Sequence, residues 1–174
     1  KTGSVLKKNF KNPYIRAAAG GAIILVITLL LGTRDYMGAG VPIIERAMEG
    51  EVRPEAFLLK MILTAITLGC GFKGGEIVPS FFVGATFGAW FGQMIGMPMD
   101  LCAACGMAAV FCGVTNCPIS TLFISFEMFG FEGMLYYVIA VAVSYMVSGY
   151  TGLYHSQKIM YSKVTTECID RKAR

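Results

Sequence analysis

Residues 69–96, GCGFKGGEIVPSFFVGATFGAWFGQMIG, join a glycine-rich loop to an apolar helix through one carboxylate and one proline. Pro79 suits the first turn of a helix, because the N–H that it lacks would have no intrahelical acceptor there. Residues 74–78 should therefore lead into the helix, with its free backbone amides pointing into the loop. Free amides and the positive end of the helix dipole favour an anion, and glycines let the ion approach the backbone. The stretch predicts a buried anion site of the kind found in membrane transporters.

Hydropathy and charge predict a membrane setting for the chain. It is 55% hydrophobic with a mean hydropathy of +0.61, and it has no Lys or Arg between residues 74 and 157. The basic residues cluster near the two ends, so the positive-inside rule places both ends in the cytoplasm and the protein in the cell (inner) membrane. The net charge of +4 then reflects topology rather than nucleic-acid binding, because the basic residues do not share one folded face.

The apolar segments are uneven in length, and they predict an all-α, polytopic membrane protein with interrupted and tilted helices. Several segments are too short to span a bilayer, so their broken ends should be buried in protein. Lys60, near the start of one segment, is expected to extend toward the interface. The predicted helices cover residues 14–31, 55–69, 80–96, 101–112, 119–129 and 134–150, with one short helical piece within 43–54. The predicted units are a cytoplasmic lead-in (1–12), a membrane domain (13–152), and a cytoplasmic-facing amphipathic helix with a basic tail (153–174).

Other residue patterns favour packing over chemistry. Gly84, Gly88, Gly92 and Gly96 recur every four residues, a stripe that lets another helix come close. The six cysteines lie scattered in apolar surroundings with His155 as the one histidine, so neither a metal nor a cofactor is expected. The chain also lacks the GxSxG and HExxH patterns of hydrolytic enzymes, and we expect no enzymatic activity.

Three motifs give the chain a resemblance to the C-terminal half of the CLC family of chloride channels and anion/proton antiporters. Residues 75–79, GEIVP, resemble the family's GxFxP anion-site motif. Residues 106–129, GMAAVFCGVTNCPISTLFISFEMF, resemble its GM(A/G)A…(A/N)P(L/I)…E(M/L) stretch. Residues 153–156, LYHS, resemble the junction whose tyrosine touches the central anion. The resemblance runs from about residue 13 to residue 160 and implies one half of an inverted-repeat architecture.

The resemblance implies an anion site and a set of partners. Backbone amides of Glu76 and Ile77 match those that coordinate the central anion, and the Tyr154 hydroxyl matches a third donor. Neutral donors of this kind can replace an ion's water without trapping it. The family's members are homodimers, so a homodimer in a lipid bilayer is implied, with residues 119–129 and 134–150 at the contact. The full anion-binding set is Gly75, Glu76, Ile77, Val78, Pro79 and Tyr154.

Two positions depart from the simplest form of this interpretation. Ile77 replaces the motif's Phe, which should change packing more than coordination. Glu76 is a carboxylate beside an anion site, as in the fluoride-exporting branch, so fluoride with proton coupling is the alternative to chloride. Burial there should favour a neutral, hydrogen-donating Glu76. Alternatively, Glu76 faces water or pairs with Lys73, and Tyr154 is an interfacial anchor.

The family's GSGIP and GREGP motifs do not occur in these residues. We therefore expect either a fragment or one product of a split protein whose partner supplies the N-terminal half. A second interpretation from another class is a non-conducting assembly module of the membrane that uses the glycine stripe. Such a module would have no need of the GGEIVP break, which exposes backbone groups unless an ion or protein satisfies them.

Overall fold

The computed structural model describes residues 12–33, 35–72, 74–150, 152–154, 156–163, 165 and 167–172. These parts of the chain are mostly helical, which confirms the predicted fold class, with one small sheet near the end. The helices are α1 (Pro13–Leu31), α2 (Val41–Glu49), α3 (Ala56–Gly69), α4 (Ile77–Ile95), α5 (Met99–Thr115), α6 (Pro118–Phe129) and α7 (Met134–Val147). The strands are β1 (Lys158–Tyr161) and β2 (Cys168–Lys172).

Helix α1 begins where the sequence predicts. The Asn12 side chain accepts a 3.1 Å hydrogen bond from the Tyr14 amide, and Pro13 occupies the first helical position. Gly32 ends the helix in the left-handed conformation, with φ of 65°. Among the described helices, α1 alone is long and apolar enough to cross a membrane, since residues 14–31 have a mean hydropathy of 2.1 and are 6% buried. Helices α3, α5, α6 and α7 are shorter apolar helices, as predicted.

The glycine stripe of α4 lies against α5. A Cβ built on Gly84 would approach the Gly106 carbonyl oxygen and the Met107 Cα, and one on Gly88 would meet the Cys102 carbonyl. Gly92 lies against the Cys102 side chain, whereas Gly96 has open space and ends the helix with φ of 73°. The stripe therefore brings the two backbones into contact at Gly84 and Gly88, while Gly92 packs on a side chain of α5. Around this contact a core of small residues is buried, comprising Ala47, Ala85, Ala89, Ala103 and Met107.

The polar break between α5 and α6 is a sharp turn. Asn116 follows α5 in the left-handed conformation, with φ of 55°, and its amide bonds to the Cys112 carbonyl. Asn tolerates this backbone conformation better than most residues. Pro118 then opens α6 at its first position, as the sequence predicts.

The end of the chain forms a hairpin, so the amphipathic helix expected after residue 153 is wrong. Strands β1 and β2 pair antiparallel, with Ile159 opposite Arg171 and a bulge before Tyr161. Tertiary contacts hold the hairpin, because Lys163 donates hydrogen bonds of 2.8 Å to the Tyr145 carbonyl and 2.9 Å to the Ser148 hydroxyl.

Candidate functional site

The start of α4 carries unpaired backbone donors, as the sequence predicts. Glu76 precedes the helix, and the first two helical residues, Ile77 and Val78, have amides with no preceding turn to accept them. Pro79 follows and has no N–H. The next amide, from Ser80, already bonds to the Glu76 carbonyl at 3.2 Å, and the Ser80 hydroxyl donates to the Ile77 carbonyl at 2.5 Å. Among the described residues, no side chain caps the start of α4 and no backbone carbonyl outside it accepts from the Ile77 or Val78 amide, so these two donors can face a ligand.

A cavity of about 490 Å³ lies beside this helix start. Its walls come from α1, the loop before α2, α3, and the glycine loop with the first turn of α4. Gly75, Val78 and Pro79 belong to the predicted anion-binding set and line it, while Glu76 and Ile77 are not among its described lining residues. The full lining is Ile24, Tyr36, Met37, Gly38, Ala39, Lys60, Leu63, Thr64, Thr67, Leu68, Gly74, Gly75, Val78 and Pro79. The cavity is thus mainly apolar with a few polar groups, which is typical of a small-ligand site.

Lys60 is a buried cation in the wall of this cavity, so the expectation that it extends to an interface is wrong. Its side chain is 2% exposed. Its ammonium donates to the carbonyl oxygens of Gly38 at 2.6 Å and Tyr36 at 3.1 Å. It also lies 5.0 Å from the centre of the Phe82 ring. These acceptors belong to the loop between α1 and α2 and hold the side chain inward.

A second cation lies at the other end of the glycine loop. Arg16 of α1 donates from Nε to the Cys70 carbonyl at 3.0 Å, which caps the end of α3. Its guanidinium lies against Gly71, where a Cβ would come within 2.8 Å of it and where φ is +92°. The positive φ favours glycine at this position. The loop that leads to α4 is therefore flanked by Arg16, while Lys60 lies in the adjoining cavity.

The glycine loop itself is exposed in this chain. Gly74, Gly75 and Glu76 are exposed, whereas Ile77 and Val78 are half-buried. The exposed position fits the alternative in which the Glu76 carboxylate faces water. Its other suggested partner, Lys73, lies outside the described residues.

Tyr154, the last member of the predicted anion-binding set, does not line this cavity. The amide of its neighbour Leu153 bonds to the Val114 carbonyl at 2.9 Å, which ties this segment to the end of α5. The Tyr154 side chain is 46% exposed and is not among the described residues that line the cavity. Its carbonyl accepts a 2.9 Å bond from the Gln157 amide. The described structure thus brings Gly75, Val78 and Pro79 to one cavity, which Tyr154 does not line.

Sequence reasoning missed one residue of the site, Lys60. Its signal was present, since an ionisable residue within an apolar helix is a functional candidate by default. The burial could not be read from the sequence, because the two carbonyl acceptors come from 22 and 24 residues away in the chain.

Comparisons with known proteins agree on one family. The model of the voltage-gated chloride channel family matches residues 1–149. A chloride/fluoride channel protein of Pseudomonas syringae pv. tomato is 37% identical over 169 residues, which cover 94% of this chain and 37% of that protein. Chloride channel protein A of Dictyostelium discoideum is 32% identical over 115 residues, covering 64% of this chain and 13% of that protein.

A solved structure is also similar. The crystal structure of a CLC-type fluoride/proton antiporter matches with a TM-score of 0.80 and 32% identity, covering 84% of this chain and 38% of that one. The chain therefore spans well under half the length of these relatives.

Proposed function

The chain belongs to the voltage-gated chloride channel family, and from this premise we propose that it forms one half of an anion transporter. The observation that carries the proposal is the start of α4, which no described side chain caps and where Val78 and Pro79 line a cavity of about 490 Å³. An anion there would be held by neutral donors and the helix dipole, which permits both binding and release. Chloride is the first candidate, and fluoride is the alternative.

The anion site in this proposal consists of Gly75, Glu76, Ile77, Val78, Pro79 and Tyr154. Gly75, Val78 and Pro79 have support from the cavity that they line. Tyr154 does not line this cavity and is 46% exposed, so its place in the set rests on the resemblance of residues 153–156 to the family's motif. The free amides remain the main donors.

Glu76 supports the fluoride alternative. Its carboxylate immediately precedes the first turn of α4 and is exposed. A carboxylate that alternates between charged and neutral forms would link proton movement to anion movement. The relatives include a chloride/fluoride channel protein and a fluoride/proton antiporter, which supports the same alternative for this chain.

Family membership places the chain in a membrane, and we propose that it is multi-pass with both ends in the cytoplasm. The basic ends of the sequence support this orientation. We also propose a homodimer through α6 and α7, because their outer faces are apolar and exposed. These faces carry Ile119 (70% exposed), Phe123 (69%), Leu135 (70%) and Ile139 (62%). An N-terminal half, on this chain or on a partner, would complete the pathway.

Anion efflux from liposomes tests the proposed function. The assembled protein, meaning this chain with its N-terminal half, is reconstituted, and chloride- and fluoride-selective electrodes follow release against protein-free liposomes. Release of either ion above the protein-free rate is expected, and the faster ion identifies the substrate. A folded, dimeric complex that releases neither ion would contradict the proposal and favour the assembly module.

A further inference from the structure

We propose that the contact between Lys163 and Asn116 sets the position of Tyr154, so that the terminal hairpin acts on anion binding through the Tyr154 hydroxyl. This inference rests on the proposed function and deepens it. Lys163 and Asn116, 47 positions apart in the chain, are positioning residues in this proposal, and neither touches the anion.

Lys163, which follows β1, is held at three points. Its ammonium has three N–H donors. They donate to the side-chain oxygen of Asn116, to the Tyr145 carbonyl at 2.8 Å and to the Ser148 hydroxyl at 2.9 Å. The ammonium also lies 4.0 Å from the centre of the Tyr145 ring. Because each donor has an acceptor, this flexible side chain is fixed in one geometry.

Asn116 carries this contact to the turn between α5 and α6. It is 6% exposed, and its φ of 55° is in the left-handed region. Its Oδ1 accepts a hydrogen bond from Ser148 at 3.2 Å as well as the one from Lys163. Asparagine suits this position because it tolerates the backbone conformation and offers an acceptor. Asn116 therefore joins the end of α5 to the end of α7 and to the hairpin.

Tyr154 lies between α7 and β1, in a segment whose base is closed by side chains. The hydroxyls of Tyr150 and Ser162 lie 2.9 Å apart across that base. The Leu153 amide donates to the carbonyl of Val114, in the last turn of α5, at 2.9 Å. Tyr154 is the next residue, so the direction of its side chain depends on how firmly the segment is held against the end of α5.

The Lys163–Asn116 contact lies away from the cavity beside α4, since neither residue is among the described residues that line it. An effect of either residue on anion binding must then pass through another group. Tyr154 is the member of the anion-binding set in this part of the fold. A hydroxyl that is fixed before the anion arrives binds it at a lower entropic cost than one that the anion must order.

A double-mutant cycle with Tyr154 tests the proposal in the assembled protein. We expect Lys163→Met to raise the half-saturating anion concentration for efflux about tenfold, as for the loss of a hydrogen bond to a charged group. In the Tyr154→Phe background, where the hydroxyl is already absent, Lys163→Met should add nothing. A general loss of structure would instead weaken binding in both backgrounds. Lys158→Met, at an exposed lysine of β1, is the matched control and should change neither protein.

The outcomes separate this inference from the proposed function. An unchanged half-saturating concentration in Lys163→Met, or an equal weakening in both backgrounds, would overturn the inference and leave the function standing. The same holds if Tyr154→Phe binds the anion as the unsubstituted protein does. If the unsubstituted protein transports neither ion, the proposed function itself fails, and the inference fails with it.

A second variant covers the case in which Lys163→Met does not fold. Asn116→Gly then takes its place in the cycle, because glycine adopts a φ of 55° readily and the change removes the side-chain acceptor. If that variant also fails to fold, bromide-soaked crystals of the unsubstituted assembly decide. Bromide within hydrogen-bonding distance of the Tyr154 hydroxyl supports the inference, and bromide bound without that hydroxyl overturns it.

Discussion

A Cβ built on Gly84 would lie 2.6 Å from the carbonyl oxygen of Gly106, so α4 and α5 touch through their backbones. The contact is equally close from the side of α5, because a Cβ built on Gly106 would come within 2.9 Å of the Gly88 Cα. The neighbours on both sides are backbone atoms, which cannot move aside as a flexible side chain can. This contact fixes the helix whose first turn offers the free amides of the site.

Adding a methyl group at this contact should destabilise the protein. We expect Gly84→Ala to lower the free energy of unfolding by about 1–3 kcal/mol, as is typical for overpacking. Gly21→Ala in α1 is the matched control, since a Cβ there meets nothing within 4 Å and Ala is the better helix former. Thermal unfolding in detergent compares the two. Equal melting temperatures for both variants would contradict the close helix contact.

Replacing Glu76 should separate proton coupling from anion binding. Glu76→Gln keeps the shape but cannot change its charge, so we expect proton-linked anion movement to fall while the free amides still bind the anion. Efflux is measured with and without a pH gradient, and the ratio of chloride to fluoride release is recorded for each protein. Unchanged coupling together with unchanged selectivity would count against a role for Glu76 and leave it as a solvated residue.

Removing the Tyr154 hydroxyl tests whether this residue donates a hydrogen bond to the anion or anchors the protein at the membrane interface. If it donates to the anion in the assembled protein, Tyr154→Phe should weaken anion binding about tenfold or more, as expected for a hydrogen bond to a charged group. Tyr161→Phe is the control, because Tyr161 is 67% exposed on β1. Titration calorimetry with the anion identified by efflux gives both affinities. An unaltered affinity in Tyr154→Phe would assign this residue to membrane anchoring.

Lys163 should make the stability of the protein depend on pH. Burial lowers the pKa of its ammonium below 10.5, with the Cys112 thiol opposing the shift. The unfolded chain then holds this proton where the folded state has released it. The free energy of unfolding should therefore rise with pH between the lowered pKa and 10.5, and this contribution should be constant below that interval.

Chemical unfolding at a series of pH values measures the slope, with Lys163→Met as the variant that should lose this part of it. Lys158→Met keeps Lys163 and should keep its slope. The same slope in Lys163→Met and the unsubstituted protein would mean that another group titrates there.

The sequence predicted most helices of the fold because their starts carry local signals. Asn12 with Pro13 and Pro118 at the start of α6 each act within one turn of the helix that they begin. The helix contact of α4 was also predictable, since glycines four residues apart mark one face. The resemblance to the CLC family added the order of the pieces.

Features that depend on distant residues could not be predicted. Lys60 is buried because the carbonyls of Gly38 and Tyr36 come to it from another loop. The hairpin replaces the expected terminal helix because Lys163 reaches Tyr145 and Ser148 at the end of α7.

The most direct test of this account is the anomalous scattering of bromide in crystals of the assembled protein. The account predicts a bromide ion at the start of α4, within hydrogen-bonding distance of the Ile77 and Val78 amides. Bromide bound elsewhere in the same crystals, with no density at those amides, would contradict the claim that this helix start is the anion site.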